Sequence, residues 1–130
     1  MTAMSTPPFE PWLTLRVDGP VAVMTRTATP FERIEDVRRA YGTLTETLEA
    51  LEAVPCLLTD LRPAPGRNDP AFEKVLAPLR RRIYAAFERR AVVVRTAIGR
   101  LQVQRHADAD GIAMRVFLEP DEALDWLRGS

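Results

Sequence analysis

The chain has 130 residues, of which 46% are apolar and 28% are charged, and its formal net charge is zero. This composition is typical of an ordinary globular protein and excludes an extensively disordered chain. A zero net charge gives no overall attraction to nucleic acid or to an anionic membrane surface, so we expect neither nucleic acid binding nor membrane insertion.

The chain has one cysteine, Cys56, and one histidine, His106. A lone cysteine excludes an intramolecular disulfide and a multi-cysteine zinc site, and it fits the reducing conditions of the cytoplasm. One histidine with scattered carboxylates predicts no metal site and no cofactor. Residues 1–11 lack the basic and apolar parts of a signal peptide, so we expect a flexible N-terminal leader there and a single domain over residues 12–130.

Two segments of alternating or apolar residues, 12–17 and 21–26, begin the predicted domain. The pair Asp18-Gly19 lies between them, and Asp-Gly between two such segments is a hairpin signal. We therefore predict two antiparallel strands at the start of the domain.

A helix is predicted next. Thr29, Pro30 and Glu32 match a capping box, which predicts that the helix begins at Pro30. Apolar residues then recur at steps of three and four, which places them on one helical stripe: Ile34, Val37, Tyr41, Leu44, Leu48 and Leu51.

The remaining segments alternate between strand and helix patterns. Apolar strands are predicted at 56–61, 91–94 and 113–118, and helices after Pro70, after Thr96 and after Pro120. The order β-β-α-β-α-β-α-β-α predicts an α/β fold with a mixed, largely parallel sheet of about five strands and helices packed on it. Pro78 is expected to kink or split the second helix.

The segment 62–70 is the candidate binding site, because it follows a central strand at the edge where open α/β sheets bind ligands. Its candidate residues are Arg62, Arg67, Asn68 and Asp69. In one interpretation the two arginines hold a phosphate or carboxylate. In the other, which we favour, Asp69 caps the next helix and the arginines are solvated.

The sequence contains no glycine-rich phosphate loop and no nucleophile elbow. Cys56 and His106 are an improbable nucleophile and base, because Cys56 opens a buried strand. The arginine-rich run over residues 80–90 is interpreted as a solvated helix face. We therefore predict no catalytic residues and no enzymatic activity.

The run CLLTDL with its following loop and helix, the strand AVVV, and above all the ending MRVFLEPDEALDWL resemble STAS-like domains. These have the anti-sigma-factor-antagonist fold, and the similarity is greatest to the SpoIIAA-like branch, from about Trp12 onward. The resemblance implies a non-enzymatic regulatory module of bacterial signalling that docks onto another protein. In some members it implies a receptor for a nucleotide or lipid.

Signalling members of that family carry a phosphorylated Ser or Thr at the start of the helix after the central strand. This chain has no Ser or Thr between Thr59 and Thr96, and Asn68 or Asp69 stands at the matching place. The leading hypothesis is a protein-docking module without a phosphoswitch. The alternative is a small-ligand receptor that uses Arg62 and Arg67, and self-association through a sheet edge stays open.

Overall fold

The computed structural model describes residues 2–3, 9–66 and 69–129. The strands are β1 (Thr2–Ala3), β2 (Leu13–Asp18), β3 (Val21–Arg26), β4 (Cys56–Asp60), β5 (Arg89–Val93) and β6 (Arg115–Phe117). The helices are α1 (Ile34–Glu49), α2 (Pro70–Ala85), α3 (Ala97–Asp110) and α4 (Pro120–Leu127).

The strands form one sheet in the order β1-β2-β3-β4-β5-β6. The pairs β1/β2 and β2/β3 are antiparallel, whereas β3 to β6 are parallel. This arrangement confirms the predicted mixed, largely parallel sheet and the order of its elements. The two-residue β1 is an addition to the five predicted strands.

Some described residues of the segment expected to form a leader, residues 1–11, contact the domain. Thr2 and Ala3 pair with Val17 and Arg16 of β2. Phe9 is fully buried in the main core, and the Trp12 backbone N–H donates to its carbonyl at 3.0 Å. Removal of this ring from water stabilises the contact between Phe9 and the core.

Each face of the sheet has its own core. Ala22, Met24 and Leu57 pack with apolar residues of α1 and α2 on one face, and Val21, Val23 and Leu58 pack with α4 on the other. Alternate residues of one strand therefore point to different helix layers, as strand geometry requires.

Helix α1 begins at Ile34, four positions after the predicted start. The intervening Phe31 is buried, and its ring stacks on Trp12 with 5.1 Å between the ring centres. Arg33 takes the N-cap position without a side-chain hydrogen bond. The burial of Phe31 therefore prevails over the capping-box pattern, and that part of the prediction is wrong.

The other helix starts agree with the sequence. Pro70 and Pro120 lie in the first turns of α2 and α4, and the Thr96 hydroxyl accepts a hydrogen bond from the Gly99 backbone N–H at 2.9 Å. Helix α2 continues through Pro78, so the helix is not split. Among the described residues, no helix combines the length and apolarity that a bilayer span requires.

Candidate functional site

A cavity of about 470 Å³ lies between the sheet and its helices, at the carboxyl ends of β3 and β4. Its wall includes Arg26 of β3, Thr59 of β4, residues 61 and 64–66, and parts of α1, α2 and α3. Open α/β sheets place ligands at this edge, and known ligand pockets span roughly 300–1,000 Å³. We refer to it below as the main cavity.

Arg80 joins the two helices that form one side of the main cavity. Its Nη2 donates to Glu73 of α2 at 2.6 Å and to Asp110 at the end of α3 at 2.9 Å. Burial lowers the pKa of Arg80, but the two carboxylates outweigh this effect and raise it. The sequence interpretation of Arg80 as a solvated residue is therefore wrong, because the helix turns it toward α3.

Arg26 is the buried cation of the main cavity, with only 6% of its surface exposed. Its Nη2 donates to the Thr29 carbonyl over a long 3.4 Å, and its guanidinium lies 4.7 Å from the centre of the Phe31 ring. Its Nη1 is buried and has no hydrogen-bond partner in the described part of the chain. Burial lowers the pKa of Arg26.

Two tyrosines, Tyr41 of α1 and Tyr84 of α2, add buried phenol groups to the wall. Burial raises the pKa of Tyr41 to about 12, and it also raises the pKa of Tyr84. Both phenols are therefore neutral near pH 7 and can donate or accept a hydrogen bond without adding charge.

The predicted candidate Arg62 is paired with Asp60. Its Nε and Nη2 donate to the two carboxylate oxygens at 2.9 and 2.8 Å, and its backbone N–H donates to Oδ1 at 3.0 Å. Burial alone would raise the pKa of Asp60, but Arg62 outweighs it and lowers that pKa. An anion at Arg62 would have to compete with Asp60, so the geometry gives this arginine a loop-fixing role.

Arg67 and Asn68 lie outside the described residues. Asp69 occupies the N-cap position of α2 with an extended backbone, but the prediction that its side chain caps the helix is wrong. Its side chain makes no capping hydrogen bond, so the helix begins with the Glu73 backbone N–H donating to the Asp69 carbonyl at 3.2 Å. The structure thus places two of the four candidates, Arg62 and Asp69, at the two ends of the described loop.

A second surface lies between α1 and α2. Ile34, Val75 and Leu79 are its half-buried apolar residues, and Arg38 and Lys74 are exposed beside them. Its volume is about 520 Å³. We call this surface the α1/α2 groove.

Cys56 and His106 lie on different faces of the sheet. Cys56 is buried in the core beneath α4, and its Sγ donates to the Leu127 carbonyl at 3.3 Å. Burial raises the pKa of its thiol. His106 of α3 is exposed in the wall of the main cavity. Within the described ranges, no three His, Cys, Asp or Glu side chains are grouped as metal ligands.

Comparison with known proteins assigns the fold. The crystal structure of an anti-sigma factor antagonist from Mycobacterium paratuberculosis is similar to this chain with a TM-score of 0.61 and 17% sequence identity. The similarity covers 96% of this chain and 99% of that chain. The chain therefore has the STAS-like, anti-sigma-factor-antagonist fold, which confirms the resemblance drawn from its sequence. No protein-family model matches the chain, and no curated protein matches it.

Sequence reasoning missed Arg26 as a site residue. It ends a strand in which Ala22 and Met24 point into the main core, and strand periodicity places Arg26 on the same face. A charged residue at a core-facing position was the signal that could have identified it.

Proposed function

We propose that this chain is a non-enzymatic regulatory module that docks onto another protein through the segment 62–70 and the exposed side of α2. The observation that carries the proposal is the fold similarity over nearly the whole chain to an anti-sigma factor antagonist. That name denotes a protein that acts against another protein. Similarity of fold alone does not determine function, so the surface must support the proposal as well.

The exposed side of α2 supports docking. Only Ile83 and Tyr84 of this helix are buried, whereas Ala71, Lys74 and Pro78 are exposed. Helices that contribute their full apolar stripe to a core expose little of it, so α2 retains apolar surface for a partner.

The loop before α2 also supports docking. Pro63, Pro65 and Gly66 are exposed, and the loop is anchored at its start by the Asp60–Arg62 pair. Prolines and a bidentate ion pair reduce the conformational entropy that a loop loses when it binds. A prearranged loop is suited to recognising a protein surface.

The α1/α2 groove indicates the chemistry of the partner. Its apolar residues are bordered by the exposed cation Lys74 and by exposed Arg38, which also donates to Glu35 of the same helix at 2.9 Å. A partner segment with apolar residues flanked by carboxylates would complement it, because opposite charges at an interface rim favour association.

The proposed module has no Ser/Thr phosphoswitch. The chain lacks Ser and Thr between Thr59 and Thr96, so the segment 62–70 contains no hydroxyl group that could accept a phosphate. Regulation would then depend on the availability of the partner or on a ligand.

The test compares two double variants in affinity purification from the native cell. Arg38→Glu with Lys74→Glu reverses the charge of the α1/α2 groove, and Arg100→Glu with Arg105→Glu makes the same change of charge on exposed positions of α3. We expect the wild type and the α3 variant to retain one partner and the groove variant to lose it. Thermal unfolding of all three proteins checks that each is folded.

A third variant tests the loop. This variant carries Arg67→Glu and Asn68→Asp, which reverse the charge of the loop. It should capture less of the same partner, while its melting temperature stays unchanged. Equal capture by every variant would reject the proposed surface, and capture of no protein by the wild type would reject the docking function.

A further inference from the structure

We infer that the main cavity is a binding site for an amphiphile with one carboxylate and a hydrocarbon chain, whose carboxylate pairs with Arg26. This inference concerns a small-molecule site inside the fold, and it differs from the anion site first considered at Arg62 and Arg67. It stands on the charge balance of the cavity, on the apolar character of its wall and on the position of its opening.

Arg26 carries the first part of the argument. It is 6% exposed, its Nη1 has no hydrogen-bond partner, and no carboxylate of the described residues forms an ion pair with it. A buried cation without an anionic partner is strongly unfavourable, and natural proteins nearly always supply one. A ligand can supply this negative charge, because Arg26 forms part of the wall of a cavity.

The other charged groups in that wall explain why the ligand has a single negative charge. Arg80 is already bonded to the carboxylates of Glu73 and Asp110, and Arg95, a further cation of the wall, is exposed to solvent. Arg26 is therefore the buried cation of the described wall that has no carboxylate partner, and one negative charge of a ligand compensates it. A nucleotide with several phosphates does not fit this distribution of charge, whereas one carboxylate at Arg26 does.

Most of the remaining wall is apolar. Its larger side chains are Met24, Phe31, Phe72, Leu76, Ile83 and Met114. Methionine and phenylalanine side chains pack well against flexible hydrocarbon, and each methylene group of a ligand that is buried there adds to the affinity. A hydrocarbon chain is therefore the matching counterpart of this wall.

The opening of the cavity is also partly apolar. The wall residues that are exposed include Pro65 and Gly66 of the loop and Ile98 and Gln102 of α3. Ile98 is 69% exposed, and Leu101, one turn further along the same helix, is 64% exposed. Large exposed apolar residues beside an apolar cavity give a hydrocarbon chain a path of entry.

Calorimetric titration of the full chain tests the inference with three probes of equal chain length: decanoate, decanol and decyltrimethylammonium. We expect decanoate to bind saturably with a stoichiometry of one, decanol to bind more weakly, and the cationic probe not to bind. Absence of saturable decanoate binding, or equal binding of decanoate and decanol, would overturn the inference.

Variants of Arg26 test whether the carboxylate of decanoate binds to this residue. Arg26→Met removes the charge at similar volume, and we expect it to weaken decanoate binding by about tenfold or more, because hydrogen bonds to charged groups are worth about 1.5–3 kcal/mol. Binding of decanol should not change. Arg26→Lys retains the charge and should retain more of the affinity for decanoate than Arg26→Met.

Arg95→Met is the matched control, since Arg95 also belongs to the wall but is exposed. Solvent screens an exposed charge, so this variant should bind decanoate as the wild type does. If Arg95→Met weakens decanoate binding as much as Arg26→Met, the assignment of the carboxylate to Arg26 is wrong.

Leu76→Trp keeps Arg26 and fills the cavity, and it provides a second route if the Arg26 variants unfold. We expect it to lose both decanoate and decanol while remaining folded by circular dichroism. Unchanged decanoate binding in this variant would place the ligand outside the main cavity and refute the inference.

Discussion

Arg80 and Asp110 lie 30 positions apart in the chain, and the hydrogen bond of 2.9 Å between them holds α2 against the end of α3. Arg80 is 19% exposed and Asp110 16% exposed, so the pair is shielded from most of the solvent. Among the described residues, α3 buries only Ala107. The position of α3 therefore depends more on this pair than on apolar packing.

Arg80→Ala should destabilise the protein by about 1–3 kcal/mol, because it leaves the carboxylates of Glu73 and Asp110 close together without their cation. Denaturant unfolding monitored by circular dichroism measures the change. Arg82→Ala is the matched control, because Arg82 is exposed and pairs with Glu49 at the surface. Equal effects of the two substitutions would show that the connection between α2 and α3 does not depend on Arg80.

The Asp60–Arg62 pair predicts how stability changes in acid. Because Arg62 lowers the pKa of Asp60 below its ordinary value of 3.8, the pair stabilises the fold above that value. The stabilisation is lost as the pH falls through the lowered pKa. We expect Asp60→Asn to lose less free energy of unfolding than the wild type below about pH 4.

Urea midpoints at successive pH values make this comparison. Arg62→Gln should also lose less free energy of unfolding in acid than the wild type, since it removes the cause of the lowered pKa of Asp60. Parallel pH profiles for all three proteins would contradict the role assigned to this pair.

The two buried tyrosines predict how the stability of the fold changes at alkaline pH. Burial raises the pKa of Tyr41 from 10.0 to about 12 and raises that of Tyr84, and these are the two tyrosines of the chain. A folded pKa above the unfolded one gives stability that is present below pH 10 and is lost as the pH rises from 10 toward 12.

Ultraviolet absorbance of the phenolate tests this prediction. At pH 10 the native protein should show clearly less phenolate than the same chain in denaturant, which should be about half ionised. Tyr41→Phe should reduce the alkaline loss of stability. A native phenolate signal at pH 10 equal to that of the denatured chain would show that the tyrosines are accessible to solvent.

Removal of the buried charge of Arg26 is expected to stabilise the ligand-free protein. In the ligand-free protein, Arg26→Met replaces a buried and incompletely bonded cation by an apolar side chain of similar size, so the free energy of unfolding should rise by about 1 kcal/mol. Arg90→Met is the contrasting variant, because the Arg90 guanidinium donates to the carbonyls of Ala113, Tyr84 and Phe87 at 2.7–2.8 Å. Its removal should destabilise the protein, because three hydrogen bonds from a charged donor are lost. If Arg26→Met destabilises the protein as Arg90→Met does, Arg26 is a structural residue.

The sheet was predictable because its signals are local. Apolar strand segments are separated by turn or helix patterns, and Thr96 and Pro120 mark helix starts through their own chemistry. The start of α1 was not predictable in the same way. Its capping pattern at Thr29 is local, but the burial of Phe31 against Trp12 depends on a contact between segments far apart in the chain.

The candidate site was less predictable than the fold. Arg62 was predicted as a binding residue because it follows a central strand, but its charge is paired with that of Asp60, two residues earlier. Arg80 was interpreted as solvated because it lies away from the apolar stripe of its helix, and the approach of α3 gives it the half-buried partner Asp110. Helix packing between distant segments decides such pairings, and single-sequence patterns do not encode them.

The loop after β4 contributes Leu61, Ala64, Pro65 and Gly66 to the main cavity, while Pro65 and Gly66 are also exposed to solvent. One short piece of backbone thus borders both an internal site and the outer surface. If a ligand in the main cavity shifts this backbone, it changes by some factor the affinity of any protein that binds the outer side of the loop. Thermodynamic linkage then requires that binding of the partner protein changes the affinity of the cavity for its ligand by the same factor.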